Sequence, residues 1–165
     1  EKKVEMVFKE KQYFTQWWLW LILLAAIAPL FLIGLYKGPL RGDGSEYSTV
    51  ESLIILACCV LPFVMLKLMY LETKLDQHGI HIRFFPFVKK TWQWSELVRA
   101  EMVNYGFVGG WGIRLWTQYG TVYNIRGSEG LAFELQNGKK YLVGTQKKDE
   151  LENFMKDIRQ KHPFS

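Results

Sequence analysis

TKLDQHGIHIRFFPFVKKTWQW, residues 73–94, is where the chain changes its hydrophobic period, and the fold turns on that change. Before it, up to Leu71, apolar residues come in long unbroken runs. Within it Ile80, Ile82 and Phe84 alternate with His81, Arg83 and Phe85, and Trp92 and Trp94 alternate with Thr91 and Gln93. A period of two predicts strands with one buried face. Downstream the alternation continues through Val98, Ala100 and Met102, through Ile113 and Leu115 about Arg114, and through Leu131, Phe133 and Leu135. Turn residues separate these runs at His78-Gly79, Tyr119-Gly120 and 127–130, and Asn137-Gly138 between LAFEL and KKYLV is the strongest hairpin signal. The end of the chain returns to helical spacing, with Leu151, Phe154, Met155 and Ile158 on one face, Thr145 as the expected cap and Pro163 beyond. The expectation is about seven short antiparallel strands closed by one amphipathic helix.

Upstream, Trp17 to Tyr36 reads WWLWLILLAAIAPLFLIGLY without a charge, and as a helix it covers about 30 Å, the thickness of a bilayer's hydrocarbon core. A second run, Ser52 to Leu71, carries only Lys67, whose stem can bring its ammonium to the headgroups. Both runs predict transmembrane helices, with Trp17, Trp18, Trp20, Tyr36, Lys67 and Tyr70 as membrane-interface anchors. No small-residue cleavage site follows the first run, so the helix is expected to stay rather than leave as a signal peptide. Pro29 and Pro62 fall near mid-span, where membrane helices tolerate proline. The chain thus divides into an N-terminal segment (1–15), a first span (16–36), a short external loop (37–51), a second span (52–71) and a cytoplasmic β-domain (72–162). Segment VEMVFKEKQYF is expected to lie along the interface or pack under that domain. Residues 71–165 hold 14 basic and 10 acidic residues, and Glu1–Gln16 holds 4 lysines against 3 glutamates. Positive charge therefore favours both termini in the cytoplasm and the short loop outside.

Composition sets the outer limits. Apolar residues make up 49% and aromatics 16% of the 165 residues, which excludes a largely disordered chain. The only cysteines, Cys58 and Cys59, are adjacent in an apolar run, which excludes a disulfide-stapled module and suits packing. Net charge is +5, but the basic residues never run longer than two and lie among acids, so no nucleic-acid partner is expected.

TKLDQHGIHIRF, WQWSEL, YGFVGGWGIRLW and GTQKKDELENFM, in that order, resemble a bacterial pleckstrin-homology-like (PH-like) domain. A membrane hairpin followed at once by such a domain is similar to a family of small bacterial membrane proteins, over about Phe8 to Ile158. The resemblance implies an α+β membrane protein: a two-helix transmembrane hairpin and a PH-like antiparallel β-barrel or sandwich with a C-terminal helix. It brings no catalytic residues.

Glycines 106, 109, 110 and 112 suggest a phosphate loop, but the segment after them alternates like a strand, and a phosphate loop needs a helix N-terminus there. A flexible β–β connection is the better reading, with Trp111 a candidate partner contact. His78, His81 and His162 have no converging ligands in sequence, so no metal site, cofactor or catalytic residue is expected. The stretch Phe84-Phe85-Pro86-Phe87-Val88-Lys89-Lys90 reads as a hairpin tip. There Phe85, Phe87, Lys89 and Lys90 either meet the lipid interface or pack against their own domain. The sequence thus points to a non-catalytic interaction or scaffold module with a lipid bilayer and a protein partner or second copy as its contacts. The alternative is an anionic-lipid-binding protein that uses the 84–90 tip.

Overall fold

The computed structural model describes residues 7–37, 49–108 and 110–162, and of these the side chains of all but 34–37 and 49. The chain is α+β, with nine strands in two sheets and three α-helices among the described residues. It divides into two compact units, a β unit of Glu1–Tyr13 with Met69–Ser165 and a helical unit of Phe14–Leu68.

In the β unit the first sheet has the order β1 (Phe8–Tyr13), β2 (Tyr70–Leu75), β3 (Gly79–Phe85), β4 (Val88–Gln93), with every neighbour antiparallel. The period of two read from the sequence is what the sheet uses. Leu71 and Leu75, Ile80, Ile82 and Phe84, and Trp92 all point to one face and are buried. The β2–β3 turn is built by Asp76, whose Oδ1 accepts the amides of His78 (2.9 Å) and Gly79 (3.2 Å). Gly79 is required by space: a Cβ there would lie 2.0 Å from the Trp92 carbonyl oxygen. The Phe85–Pro86 peptide is cis.

The second sheet runs β5 (Leu97–Asn104), β8 (Glu129–Leu135), β9 (Lys140–Thr145), β7 (Gly120–Asn124), β6 (Gly112–Thr117). Its β8–β9 hairpin turns at Asn137-Gly138 as the sequence predicts: Gly138 takes φ +77° and the Lys139 amide donates to Asn137 Oδ1 at 3.0 Å. The core lies between the sheets, where Trp92 packs edge-on against Phe133 (5.0 Å) and beside Tyr141 (4.7 Å). Helix α3 (Lys148–Lys161) buries Leu151, Phe154, Met155 and Ile158, and carries acids in its first turn and Arg159 and Lys161 in its last, complementing its dipole. Its N-cap position is Lys147 rather than Thr145; the Thr145 hydroxyl ends β9 and accepts the Lys147 amide at 3.0 Å.

Several expectations are corrected. Where about seven antiparallel strands are expected after Leu71, eight form from Tyr70 on and a ninth comes from the N-terminal segment; β7 and β9 run parallel, and the sheets do not close into a barrel. The N-terminal segment is not an accessory: Phe8–Tyr13 is a full edge strand of the first sheet. It has no hydrophobic stripe because its inward residues are Phe8, Glu10 and Gln12, and the last two are buried polar side chains with partners on the far sheet. Gln12 Nε2 donates to the Gly144 carbonyl (2.8 Å), while Glu10 accepts the Thr145 hydroxyl (2.5 Å) and the Gln146 amide (2.9 Å).

In the helical unit, α1 (Trp17–Lys37) and α2 (Thr49–Leu68) pack together, with Trp20 stacked on Phe63 at 6.0 Å. Val50–Leu68 is long and apolar enough to cross a membrane, and Trp17–Ile33 is a shorter apolar helix. The second helix ends at Leu68, three residues before the expected boundary, because Tyr70 and Leu71 already pair with β1 and β3. Most of the 37–51 loop, the Tyr36 side chain, Gly109 and Pro163 lie outside the described residues.

Candidate functional site

Alternation in the first sheet gives it a second, outward face, and the register sorts that face into cross-strand rows. Tyr13, Tyr70 and Phe85 form one row; Lys11, Glu72, Arg83 and Lys89 form the next; Lys9, Lys74, His81 and Thr91 form the third. Neighbouring strands are roughly 4.8 Å apart and successive rows about 6.7 Å, so the three rows make one small continuous surface.

The aromatic row is an ordered stack. Tyr70 lies on Phe85 at 5.3 Å with planes 5° apart, and Tyr13 tilts against Tyr70 at 5.9 Å. The cations of the second row lean on it: Lys11 Nζ sits 4.0 Å from the Tyr70 ring centre, and the Arg83 guanidinium 5.4 Å from that of Phe85. Hydrogen bonding to Tyr13 pushes the Lys11 ammonium above the usual lysine value; desolvation opposes it, and the charges of Tyr13, Tyr70 and Glu72 add to the rise.

Two like-charge pairs stand directly opposite each other on this face, Lys9 with Lys74 and Arg83 with Lys89. Such pairs oppose strand pairing. The first is relieved diagonally, because Lys9 reaches Glu72 (3.3 Å) and Lys74 reaches Asp76 (3.1 Å). The second is not: among the described residues Arg83 leans on aromatic rings and forms no ion pair, although Glu72 stands opposite it on β2, and Lys89 is exposed without a partner. Asp76 has a fixed structural task at the margin. Partial burial would raise its pKa, but the His78 amide, Lys74 and His81 (Nε2 at 3.2 Å) together hold it well below the usual carboxylate range. His81 Nδ1 lies 3.1 Å from the Thr91 hydroxyl, so this histidine is built into the sheet rather than simply solvated.

The expected hairpin tip is divided by this geometry. Phe84 is fully buried, Phe85 belongs to the aromatic row, and Phe87 alone stands out at the turn. Lys89 and Lys90 are consecutive on a strand and so point to opposite faces. Lys90 leaves the outward surface and lies over the Tyr141 ring at 5.0 Å. Tyr70 is an aromatic of β2, not of the second helix. Trp17 is exposed at the start of α1, Trp18 and Trp20 are half-buried, and Lys67 is exposed in the last turn of α2.

The glycine segment is a β–β connection between β5 and β6, as its sequence suggests, with positive φ at Gly106, Gly110 and Gly112. Trp111 is half-buried and meets Phe107 edge-on at 5.7 Å. The more prominent indole is Trp116, which the sequence reading passed over: it is 94% exposed and takes φ +57° where β6 loses register with β7. An open depression of about 200 Å³ on the second sheet is lined by Arg99, Glu101, Glu134, Lys140 and Tyr141 among others, and its charges neutralise each other in ion pairs. Among the described residues no group of three or more metal-ligating side chains converges.

The outward rows were legible in part. Lys9 and Lys11 alternate in FKEKQY, but YLETKL and GIHIRFF each add a single lysine or arginine to the outward face, Lys74 and Arg83, and the register that aligns them is tertiary. No protein-family model matches the chain, and no curated protein matches it.

Proposed function

We propose that this chain is a membrane-anchored, non-catalytic interaction module of a bacterial inner membrane. Its α1–α2 pair is a two-helix transmembrane hairpin, both termini are cytoplasmic, and the β unit is a PH-like domain that engages a protein partner or a second copy. One observation carries the reading: the apolar helix pair is inserted between β1 and β2, strands that pair with each other at Tyr13 and Tyr70. The chain leaves the sheet at Tyr13 and enters α1 at Trp17; it leaves α2 at Leu68 and re-enters the sheet at Tyr70. Two such short links leave no room for a flexible tether, which suits assembly beside other membrane components rather than a search through the cytoplasm.

The helices supply the anchoring argument. Leu21, Ile22, Leu53 and Leu56 are each more than half exposed, as are many of their neighbours. At about 25 cal/mol per Å² of apolar surface, such a pair is costly in water and at home in hydrocarbon.

Two measurements on the full chain test the reading. Alkaline carbonate washing of host membranes should leave the chain in the pellet, and its release would overturn the anchoring. With Cys58 and Cys59 replaced by alanine, Ser45→Cys should react with an impermeant maleimide from outside, and Asn137→Cys only after permeabilisation. The native mass after gentle extraction should then exceed one 19.4 kDa chain. A single chain at every detergent and protein concentration would overturn the assembly role.

A further inference from the structure

We infer that the outward face of the first sheet is a binding surface for the headgroups of anionic phospholipids, contacted through Lys11, Arg83 and Lys89 beside the aromatic row. The inference rests on the membrane anchoring proposed for α1 and α2 and names what the β unit meets there.

Three features of the face converge on this ligand. First, the second row sets three cations about one carboxylate, Glu72, which Lys9 of the next row already engages at 3.3 Å. Second, Arg83 and Lys89 are held directly opposite each other without an intervening anion, a local conflict that folds retain where function requires it. A phosphate above that pair removes the conflict, with the planar guanidinium offering paired donors and the ammonium a point charge. Third, the surface is graded along the strands: the aromatic row holds Tyr13 and Tyr70, the strand residues nearest in sequence to α1 and α2, and the cations lie one row away along the same strands. Aromatic side chains with one apolar and one polar end settle at the headgroup level, and cations just beyond them match anionic headgroups. An acidic protein segment or a nucleic acid matches the charge alone; it gives the Tyr13–Tyr70–Phe85 row and its closeness in sequence to two apolar helices no role.

The contact is shared and electrostatic, without an enclosed pocket, so it selects negative charge and not one particular headgroup. Each lysine or arginine near a charged leaflet contributes about fivefold in affinity. Neutralising two of the three cations should therefore weaken the contact by roughly 25-fold.

The test uses the full chain in vesicles of phosphatidylcholine alone and of phosphatidylcholine with phosphatidylglycerol. An amine-reactive reagent is applied at low conversion, and the labelling of Lys11 and Lys89 is compared with that of Lys156 on α3. Both should be labelled several-fold more slowly in the anionic vesicles, with Lys156 unchanged. The protection should vanish in 1 M salt, where screening shortens the Debye length to about 3 Å. In the variant Arg83→Gln with Lys89→Gln, protection at Lys11 should be lost. Both side chains are exposed on the outward face, so the buried face of the sheet is unchanged, and a melting curve of the variant checks that its fold is kept. Equal labelling in the two lipids, with the chain still resistant to carbonate, would overturn the headgroup inference and leave the anchoring intact. Release by carbonate would overturn the anchoring by itself. Protection produced by added polyglutamate or oligonucleotide but not by anionic vesicles would also overturn the inference, in favour of an acidic macromolecule.

Discussion

Replacing Glu10 by alanine isolates the contribution of the one strand that lies far from its sheet in sequence. The Glu10 carboxylate is 5% exposed and accepts the Thr145 hydroxyl at 2.5 Å and the Gln146 amide at 2.9 Å, a span of 135 residues for the first of these. Hydrogen bonds to a charged acceptor contribute about 1.5–3 kcal/mol each, but taking the carboxylate out of water offsets part of that. Truncation also strands the Gln146 amide, because alanine offers it nothing. A net loss of about 2–3 kcal/mol follows. In a domain of this size that lowers Tm by roughly 10 °C. Glu10→Gln keeps one acceptor oxygen in place and should cost about 1 kcal/mol. The assay is thermal unfolding of the full chain in detergent, followed by fluorescence of the buried Trp92 and Trp94, with Glu152→Ala as a surface control. Thr145→Val completes a double-mutant cycle with Glu10→Ala, for which a coupling of about 1–2 kcal/mol is expected. If Glu10→Ala unfolded within 0.5 kcal/mol of the surface control, or if the cycle were additive, the clasp between β1 and the β9–α3 junction would not be what holds β1 in place.

Other expectations follow from the same geometry. Asp76 ionises more readily in the fold than in the unfolded chain, so its stabilisation is complete above the ordinary value of 3.8 and is lost as pH falls below it. Acid titration of stability should therefore flatten in Asp76→Asn, and equal slopes for the two proteins would contradict the assignment. Lys89→Gln should raise stability by a few tenths of a kcal/mol at low salt in detergent free of anionic lipid, and the gain should disappear in 1 M salt. Trp116→Gly should stabilise the β unit by about 1 kcal/mol, since an L side chain pays for left-handed backbone and this indole is 94% exposed. A loss of stability would show that Trp116 packs against something within the chain. Gly120→Ala places a Cβ 2.1 Å from the Lys140 carbonyl oxygen at φ +74°, and should lower Tm well beyond the effect of a surface substitution.

Those features that depend on local sequence were readable. Asn137-Gly138 carries its own turn geometry, and Leu151, Phe154, Met155 and Ile158 carry a helical stripe, so the β8–β9 hairpin and α3 lie where expected. The two apolar runs form helices that continue through Pro29 and Pro62, each of which removes one helical donor. What escaped was set by distant partners. Strand β1 alternates, but with Glu10 and Gln12 inward, which reads as a solvated strip until Gly144, Thr145 and Gln146 are placed opposite. Lys89 and Lys90 read as one basic pair in a linear sequence, and only the strand period separates them. Tyr70 suits the end of a membrane helix in composition, but strand pairing on both sides takes it into β2.

The insertion of α1 and α2 between paired strands also orders the protein's assembly in time. β1 leaves the ribosome before either helix, yet β2, its strand partner among the described residues, follows the second. Glu10 and Gln12 wait longer still, for Gly144 and Thr145 of β9. On the proposed anchoring, a nascent chain in which only one helix crossed the bilayer would strand Tyr13 and Tyr70 on opposite sides, and the first sheet would stay one strand short. Completion of the β unit thus reports that both helices have inserted, so a chain with the wrong topology advertises itself as an unfolded domain open to proteolysis.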